Sequence, residues 1–384
     1  MTASPDVHTA LCSTTDPLFG DLLADWRELW RSDNTREPFS SPDWLLPYLQ
    51  TFEPAVQPVF LHARVAGVLA AIMPLVREAT MLDGMPGRAW RAPMNDDFFY
   101  RVGVLCRHGY ETAVASAFID LLGASPGWDV VSIPRFAVGT LPSLMARIAA
   151  ERGFPTLIRP DRQTRLVELP GSGATAEQPW LAQVTPGLRK NMRRTQRQLR
   201  EHLGADLVLE RHEVATPEQL DRFYAIEASG WKGRENTAIR SAPATLRFFN
   251  QLAEHFVRER AFILHFLRAG AVTLAGGFSL IGGSCLYTLK WGYDESYARY
   301  GPGRLLTGAM ARDSWERGIR SLDLGSDADY KREWTPHTRD HASVYIFNRS
   351  LYGRLLFAYR GLLGQGLARL ITRMAFRGES GRPV

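Results

Sequence analysis

Cysteine is nearly absent: Cys12, Cys106 and Cys285 stand far apart and odd in number. No disulfide framework and no cysteine metal spacing is visible, which suits a reducing cytoplasm. His62, His265, His337 and His341 show no metal-ligand spacing either, so no metal is expected. The stretch Met1 to Pro17 lacks a positive n-region and an apolar h-region, so no signal peptide is expected. No apolar run approaches the length of a membrane span, and the expected location is cytoplasmic. No Ser/His/Asp or Cys/His constellation for a covalent nucleophile is evident.

The chain has what a globular protein needs. Of 384 residues, 45% are hydrophobic and 22% charged, leaving ample apolar surface to bury. Net charge is +6 with a pI near 9.3, carried by arginine far more than by lysine. Arginine favours planar anions such as phosphate and carboxylate, so an anionic substrate, cofactor or surface is indicated. A high-GC genome inflates arginine as well.

The length implies two domains, placed at 1–170 and 171–384, with Gly171-Ser-Gly-Ala-Thr-Ala as the linker. The first sixteen residues are polar and read as a mobile end. Helices are expected from Leu18 to Trp30 and from Ser41-Pro42 onward, strands over 58–64 and 68–76, then helices at 110–123 and 140–152 around a strand at 129–134. In the second half a basic helix at 186–203 leads to a strand at 206–214. Helices at 217–229 and 244–259 follow, then strands at 261–268, 271–280 and 284–291. A helix from Arg304 to Arg317, a strand from Ser321 to Gly325, a late strand from Ser343 to Asn348 and a terminal helix from Leu351 complete the order. One short echo, Leu61-His-Ala-Arg-Val-Ala-Gly67 against Leu264-His-Phe-Leu-Arg-Ala-Gly270, falls at a strand turn in each half.

The most informative stretch runs from Trp291 to Arg304. An aromatic strand ends there and a helix begins after a glycine pair. Gly301 and Gly303 remove side chains where backbone N–H groups must approach a ligand, and Pro302 sets the turn. Arg299 and Arg304 add charge suited to phosphate oxygens. The outline is a pyrophosphate cradle at a helix N-terminus.

These elements, in this order, resemble the GCN5-related N-acetyltransferase (GNAT) fold. The motifs resemble the CelD/BioF2-like acetyltransferases, relatives of the FemAB peptidyltransferases with two tandem domains. The matching residues are Leu188-Arg-Lys-Asn-Met-Arg-Arg194, Glu227-Ala-Ser-Gly-Trp-Lys-Gly233, Tyr293 through Pro302-Gly303, and Leu322-Asp-Leu-Gly325 followed by Tyr330-Lys331. The likeness is strong over about 186–336 and looser in the first half, through Trp44 and Met73-Pro-Leu-Val76. One position departs: the usual loop has Arg or Gln three residues before its first glycine, where this chain has Ala298 and then Arg299. The resemblance implies an α/β protein of two tandem acetyltransferase-like domains, with mixed, mostly antiparallel sheets flanked by helices. The first domain is expected to be degenerate, its strand ending at Met73-Pro74 with no Gly-x-Gly loop of its own.

The resemblance also implies a chemistry, in which an amine attacks a thioester directly. Acyl-CoA, with acetyl-CoA first, becomes the co-substrate on Arg299, Gly301, Gly303 and Arg304. Asp323, on a short apolar strand, positions or deprotonates the amine. Lys331 stabilises the oxyanion or holds an anionic substrate, and Tyr330 protonates the leaving group. Glu227, Trp231 and Lys232 form the acceptor wall for an amino sugar, polysaccharide precursor or metabolite. Two other readings stay open: an aminoacyl-tRNA donor, as in FemAB proteins, and a non-catalytic binding module. Arg189, Arg193, Arg197 and Arg200 share a helix face that suits tRNA phosphates or plain solvation. The terminal segment, with Arg354, Arg360, Arg369, Arg373 and Arg377 among apolar residues, suits peripheral membrane contact or packing on the parent domain.

Overall fold

Apolar runs in β2 (Pro58–Val65) and β3 (Val68–Leu82) pair in a hairpin that turns at Ala66-Gly67, where both residues have positive φ. The echoed stretch in the second half makes the same kind of hairpin, β9 (Phe262–Ala269) to β10 (Val272–Gly282), turning at Gly270. These hairpins sit in a computed structural model that describes residues 6–82, 84–93, 103–171 and 178–361.

The first half runs β1 (Val7–Ser13), α1 (Phe19–Ser32), α2 (Pro42–Phe52), β2, β3, β4 (Met85–Arg91), β5 (Leu105–Cys106), α3 (Glu111–Ala124), β6 (Val130–Ala137), α4 (Leu141–Glu151) and β7 (Thr156–Glu168). The second half runs α5 (Pro186–Leu203), β8 (Leu207–His212), α6 (Pro217–Glu227), α7 (Trp231–Arg234), α8 (Pro243–Arg258), β9, β10, β11 (Cys285–Tyr293), α9 (Pro302–Glu316), β12 (Ser321–Asp323) and β13 (Thr338–Phe347). A helix over 351–361 ends the described chain. The architecture is mixed α/β, a large and mostly antiparallel sheet flanked by helices.

Three expectations need correction. The polar start is not a mobile end throughout, because 7–13 form β1, an edge strand paired with β2 from Val7↔Val65 to Ser13↔Val59. β3 does not stop at Met73-Pro74: Pro74 lies inside it opposite Phe60, and the strand runs on to Leu82. The expected order leaves 153–170 without an element, and β7 forms there. Its polar middle, Arg159 to Arg165, looks like loop in sequence, yet it pairs with β13 on one edge and β12 on the other. Residues 172–176 of the expected linker lie outside the described residues, as does the terminal segment beyond 361 with Arg369, Arg373 and Arg377.

Among the described residues thirteen strands join one sheet, in the order β1-β2-β3-β4-β6-β13-β7-β12-β11-β10-β9-β8 with β5 on β3. β13 comes from the end of the chain but lies between β6 and β7 of the first half. The two halves also share a core. Trp44 of α2 meets Phe248 of α8 edge-on at 5.4 Å, and Tyr48 joins the same cluster. That aromatic contact buries large apolar area against a partner from the other half.

Candidate functional site

β11 and β12 run parallel for only three residues, Cys285–Tyr287 beside Ser321–Asp323. Then they part. The Leu324 N–H donates to Arg165 O of β7 at 2.9 Å, whereas β11 continues along β10 to Tyr293. The register on β10 slips between Phe278↔Lys290 and Ser279↔Thr288, leaving Leu289 as an extra residue. Such a bulge bends its strand and re-aims backbone groups. At the far end of the opened edge, Lys232 Nζ donates to Trp291 O at 2.7 Å and Ser229 Oγ to Tyr293 O at 2.8 Å. A cavity of about 660 Å³ lies along the opened edge of β11, with Ser326, Tyr330, Lys331 and Trp334 of the loop beyond β12 on its other side.

The chain has four lysines, at 190, 232, 290 and 331. Three of them, Lys232, Lys290 and Lys331, line this cavity together with Arg304, against the two carboxylates of Glu227 and Glu295. In an arginine-rich protein that concentration is informative: lysine is the compact cation whose pKa moves on burial. Lys331 is 4% exposed. Its Nζ donates to Leu324 O and, at 2.7 Å, to Ser326 Oγ, and it lies 4.9 Å from the Trp291 ring centre. Burial pushes its pKa down to about 8, with Lys232 adding to the shift and Asp323 and Asp327 opposing it. Tyr330 lines the same cavity and is half-exposed, its ring centre 5.7 Å from Lys331 Nζ.

Glu227 ends α6 and is fully buried. It accepts from Ile239 N at 2.9 Å and pairs with Lys232 Nζ at 3.1 Å. This pair closes one end of the cavity. Trp231 begins α7, but its side chain lies outside the described residues.

The glycine turn expected as a cradle opens α9 at the cavity, lined by Gly301, Gly303 and Arg304 but not by Arg299. Gly301 takes the left-handed conformation, φ 61° and ψ 51°, as N-cap of α9. Pro302 has no N–H, and the Arg304 and Leu305 N–H groups close onto Gly301 O at 3.0 and 3.2 Å. The charged donor that faces the cavity is Arg304, whose Nη1 lies 3.9 Å from where a Gly301 Cβ would be. Ala298 also lines the cavity. Arg299 turns aside, donating from Nη2 to Tyr300 Oη at 2.5 Å and stacking on that ring. The residues present therefore fit a phosphate chain through Arg304, the open glycine turn and the α9 N-terminus.

Asp323 is buried outside the cavity lining. Its Oδ1 accepts from Gly325 N at 2.8 Å and its Oδ2 lies 3.8 Å from Arg339 Nη1. It shapes the turn that leads to Lys331. The same loop is held from the first half by Arg165 of β7, which donates to Asp327 Oδ1 at 2.6 Å and to Thr335 O and Pro336 O at 3.2 and 3.1 Å. Arg165→Ala is expected to cost about 2–4 kcal/mol, because a partly buried carboxylate and two carbonyls lose their donor. Urea melts of the variant and wild type check this, and a change below about 0.5 kcal/mol would show that the loop holds itself.

Sequence reasoning missed Lys290, Thr307 and Trp334 in the lining and the bulge at Leu289. The Trp291-Gly-Tyr293 signal was legible, but a register slip leaves no mark in composition. Among the described residues no group of His, Cys, Asp and Glu is placed to hold a metal, and no helix is long and apolar enough to cross a membrane.

Residues 187–332 match the family model described as an acetyltransferase (GNAT) domain. The matched segment contains most of α5, the parted strands, the glycine turn and Lys331, and it supports acyl transfer in general. No curated protein matches the sequence. Among solved structures, FemX is 10% identical with a TM-score of 0.58, over 87% of this chain and 98% of FemX. A conserved protein of unknown function from Bacteroides thetaiotaomicron VPI-5482 is 12% identical with a TM-score of 0.50, over 85% of this chain and 97% of that one. At such identities the likeness is one of fold.

Proposed function

We propose that this protein is an N-acyltransferase that moves an acyl group from acyl-CoA, acetyl-CoA first, to a primary amine of an amino sugar, polysaccharide precursor or metabolite. The observation that carries this reading is the cavity between β11 and the loop beyond β12, lined by Arg304, the glycine turn and buried Lys331. When bound, acyl-CoA supplies an activated thioester carbonyl. Lys331 lines the cavity, its ammonium held by Leu324 O and Ser326 Oγ, and a developing oxyanion there gains most from a preorganised charge. Tyr330 at the mouth has the hydroxyl to protonate a departing thiolate. Glu227 and Lys232 close the acceptor end, and Asp323 acts by holding the Gly325 turn. We read the chain as two acetyltransferase-like halves, 1–170 and 171–384, with the donor site in the second, within the CelD/BioF2-like group.

One observation favours the aminoacyl-tRNA donor as a second reading. Lys190, Arg193, Arg194 and Arg197 line a shallow basic recess of about 500 Å³ on α5, and α5 reaches the cradle where His202 stacks on Tyr300 at 5.6 Å. Calorimetric titration separates the donors. Acetyl-CoA is expected to saturate one site per chain, and Arg304→Ala to weaken it about 10–100-fold, the range of a charge-assisted hydrogen bond. Gly303→Trp is expected to abolish binding in a folded protein, since a Cβ there already meets Tyr293 at 3.4 Å. Absence of saturable binding to the wild type would remove acyl-CoA as donor.

A further inference from the structure

α5 and α9 approach closely at Gly308. A Cβ there would lie 2.5 Å from Met192 Cε and 3.7 Å from Trp334 Cη2. These two side chains belong to different cavities. Trp334, 2% exposed, lines the cavity beside Lys331, whereas Met192 lines a second one of about 370 Å³ between α5 and α9. Its floor is apolar, with Leu209 and Leu267 among its residues, and its rim is polar, with Arg312 donating to Glu316 at 2.7 Å. Gly308 also lines this second cavity. The partition over Gly308 is therefore two side chains, Met192 on one side and the edge of the Trp334 ring on the other.

The thickness and the residue type both matter. Methionine is unbranched, with three rotatable bonds, and can leave such a position without moving the backbone. Gly308 offers no side chain to refill the space. We propose that Met192 is a gate between the two cavities, and that the second cavity receives the distal part of a medium-length acyl chain. An acetyl group is served with the gate shut. A longer chain turns Met192 aside and runs past the Trp334 ring edge and over Gly308 onto the apolar floor, and the polar rim limits its length. This rests on the acyl-CoA reading and names Met192 as the residue that sets acyl length.

The test compares acetyl-CoA and decanoyl-CoA binding to the full chain by calorimetry. Each methylene transferred to an apolar cavity strengthens binding roughly fourfold. Met192→Ala is expected to tighten decanoyl-CoA at least tenfold relative to acetyl-CoA, and Ala309→Leu, which fills the second cavity from a partly exposed wall, to reverse that gain. Ala309→Leu in the wild-type background is expected to weaken decanoyl-CoA and leave acetyl-CoA unchanged, so the inference stands or falls even if the Met192 variant does not fold. Acetyl-CoA binding with an unaltered decanoyl preference in these variants overturns the gate alone. Failure of both esters to bind the wild type overturns the donor reading and the gate with it.

Discussion

Lys331→Met is expected to lower turnover about 10²–10³-fold while leaving acetyl-CoA affinity within a few fold, the range seen when one preorganised oxyanion donor is lost. The apolar chain keeps the bulk of a side chain that is 4% exposed and removes only its charge and its bonds to Leu324 O and Ser326 Oγ. Because burial pushes the Lys331 pKa down to about 8, wild-type turnover is expected to decline as pH rises through that value. The variant's residual activity should lack that decline. Stability moves the other way. The folded protein gives up this proton near pH 8, the unfolded chain only near the ordinary value of 10.5, so between them the unfolded state binds more protons. The strain of burying the charge is fully present below pH 8 and relieved as pH rises toward 10.5. Thermal melts of both proteins at pH 7 and pH 10 should therefore shift in favour of the wild type at the higher pH. Near wild-type turnover in Lys331→Met would show that the lysine only packs.

Gly292→Ala is expected to destabilise the protein by about 3 kcal/mol or more, at the upper end for an added buried methyl. Its Cβ would lie 2.4 Å from Glu227 Cα, 2.9 Å from Ile226 O and 3.0 Å from Glu227 N. All three are backbone, so the last turn of α6 must move off β11. That movement also pulls on the Glu227–Lys232 pair and on the Lys232 bond to Trp291 O. Gly277→Ala is the matched control on β10, since its Cβ meets only side-chain ends, the Met310 sulfur at 3.2 Å, Leu306 Cδ2 at 3.6 Å and Met310 Cε at 3.7 Å. Urea unfolding of the two variants is expected to separate them by about 2 kcal/mol. Equal losses would mean that α6 yields as readily as a methionine tip.

What the sequence determined by itself is local. α5 begins at Thr185, whose hydroxyl accepts from Leu188 N, and ends at Gly204 in the left-handed conformation, so both ends were legible as a cap and a stop. α6 opens with a reciprocal capping box between Thr216 and Gln219. The 262–293 strands alternate or run apolar between Gly turns, and Gly301-Pro-Gly303 marks the start of α9. These features depend on neighbours within four residues, which any reading of the chain contains. Tertiary structure alone decided the rest. β7 is a strand because β12 and β13 supply partners on both edges, not because its polar middle favours one. The register slip at Leu289 comes from pairing with β10, and the burial that lowers the Lys331 pKa comes from a loop held by Arg165, 166 positions earlier. Three of four lysines meet in one cavity only because β11 and β12 part after three residues. Long-range backbone pairing sets such distances, and no local pattern encodes them.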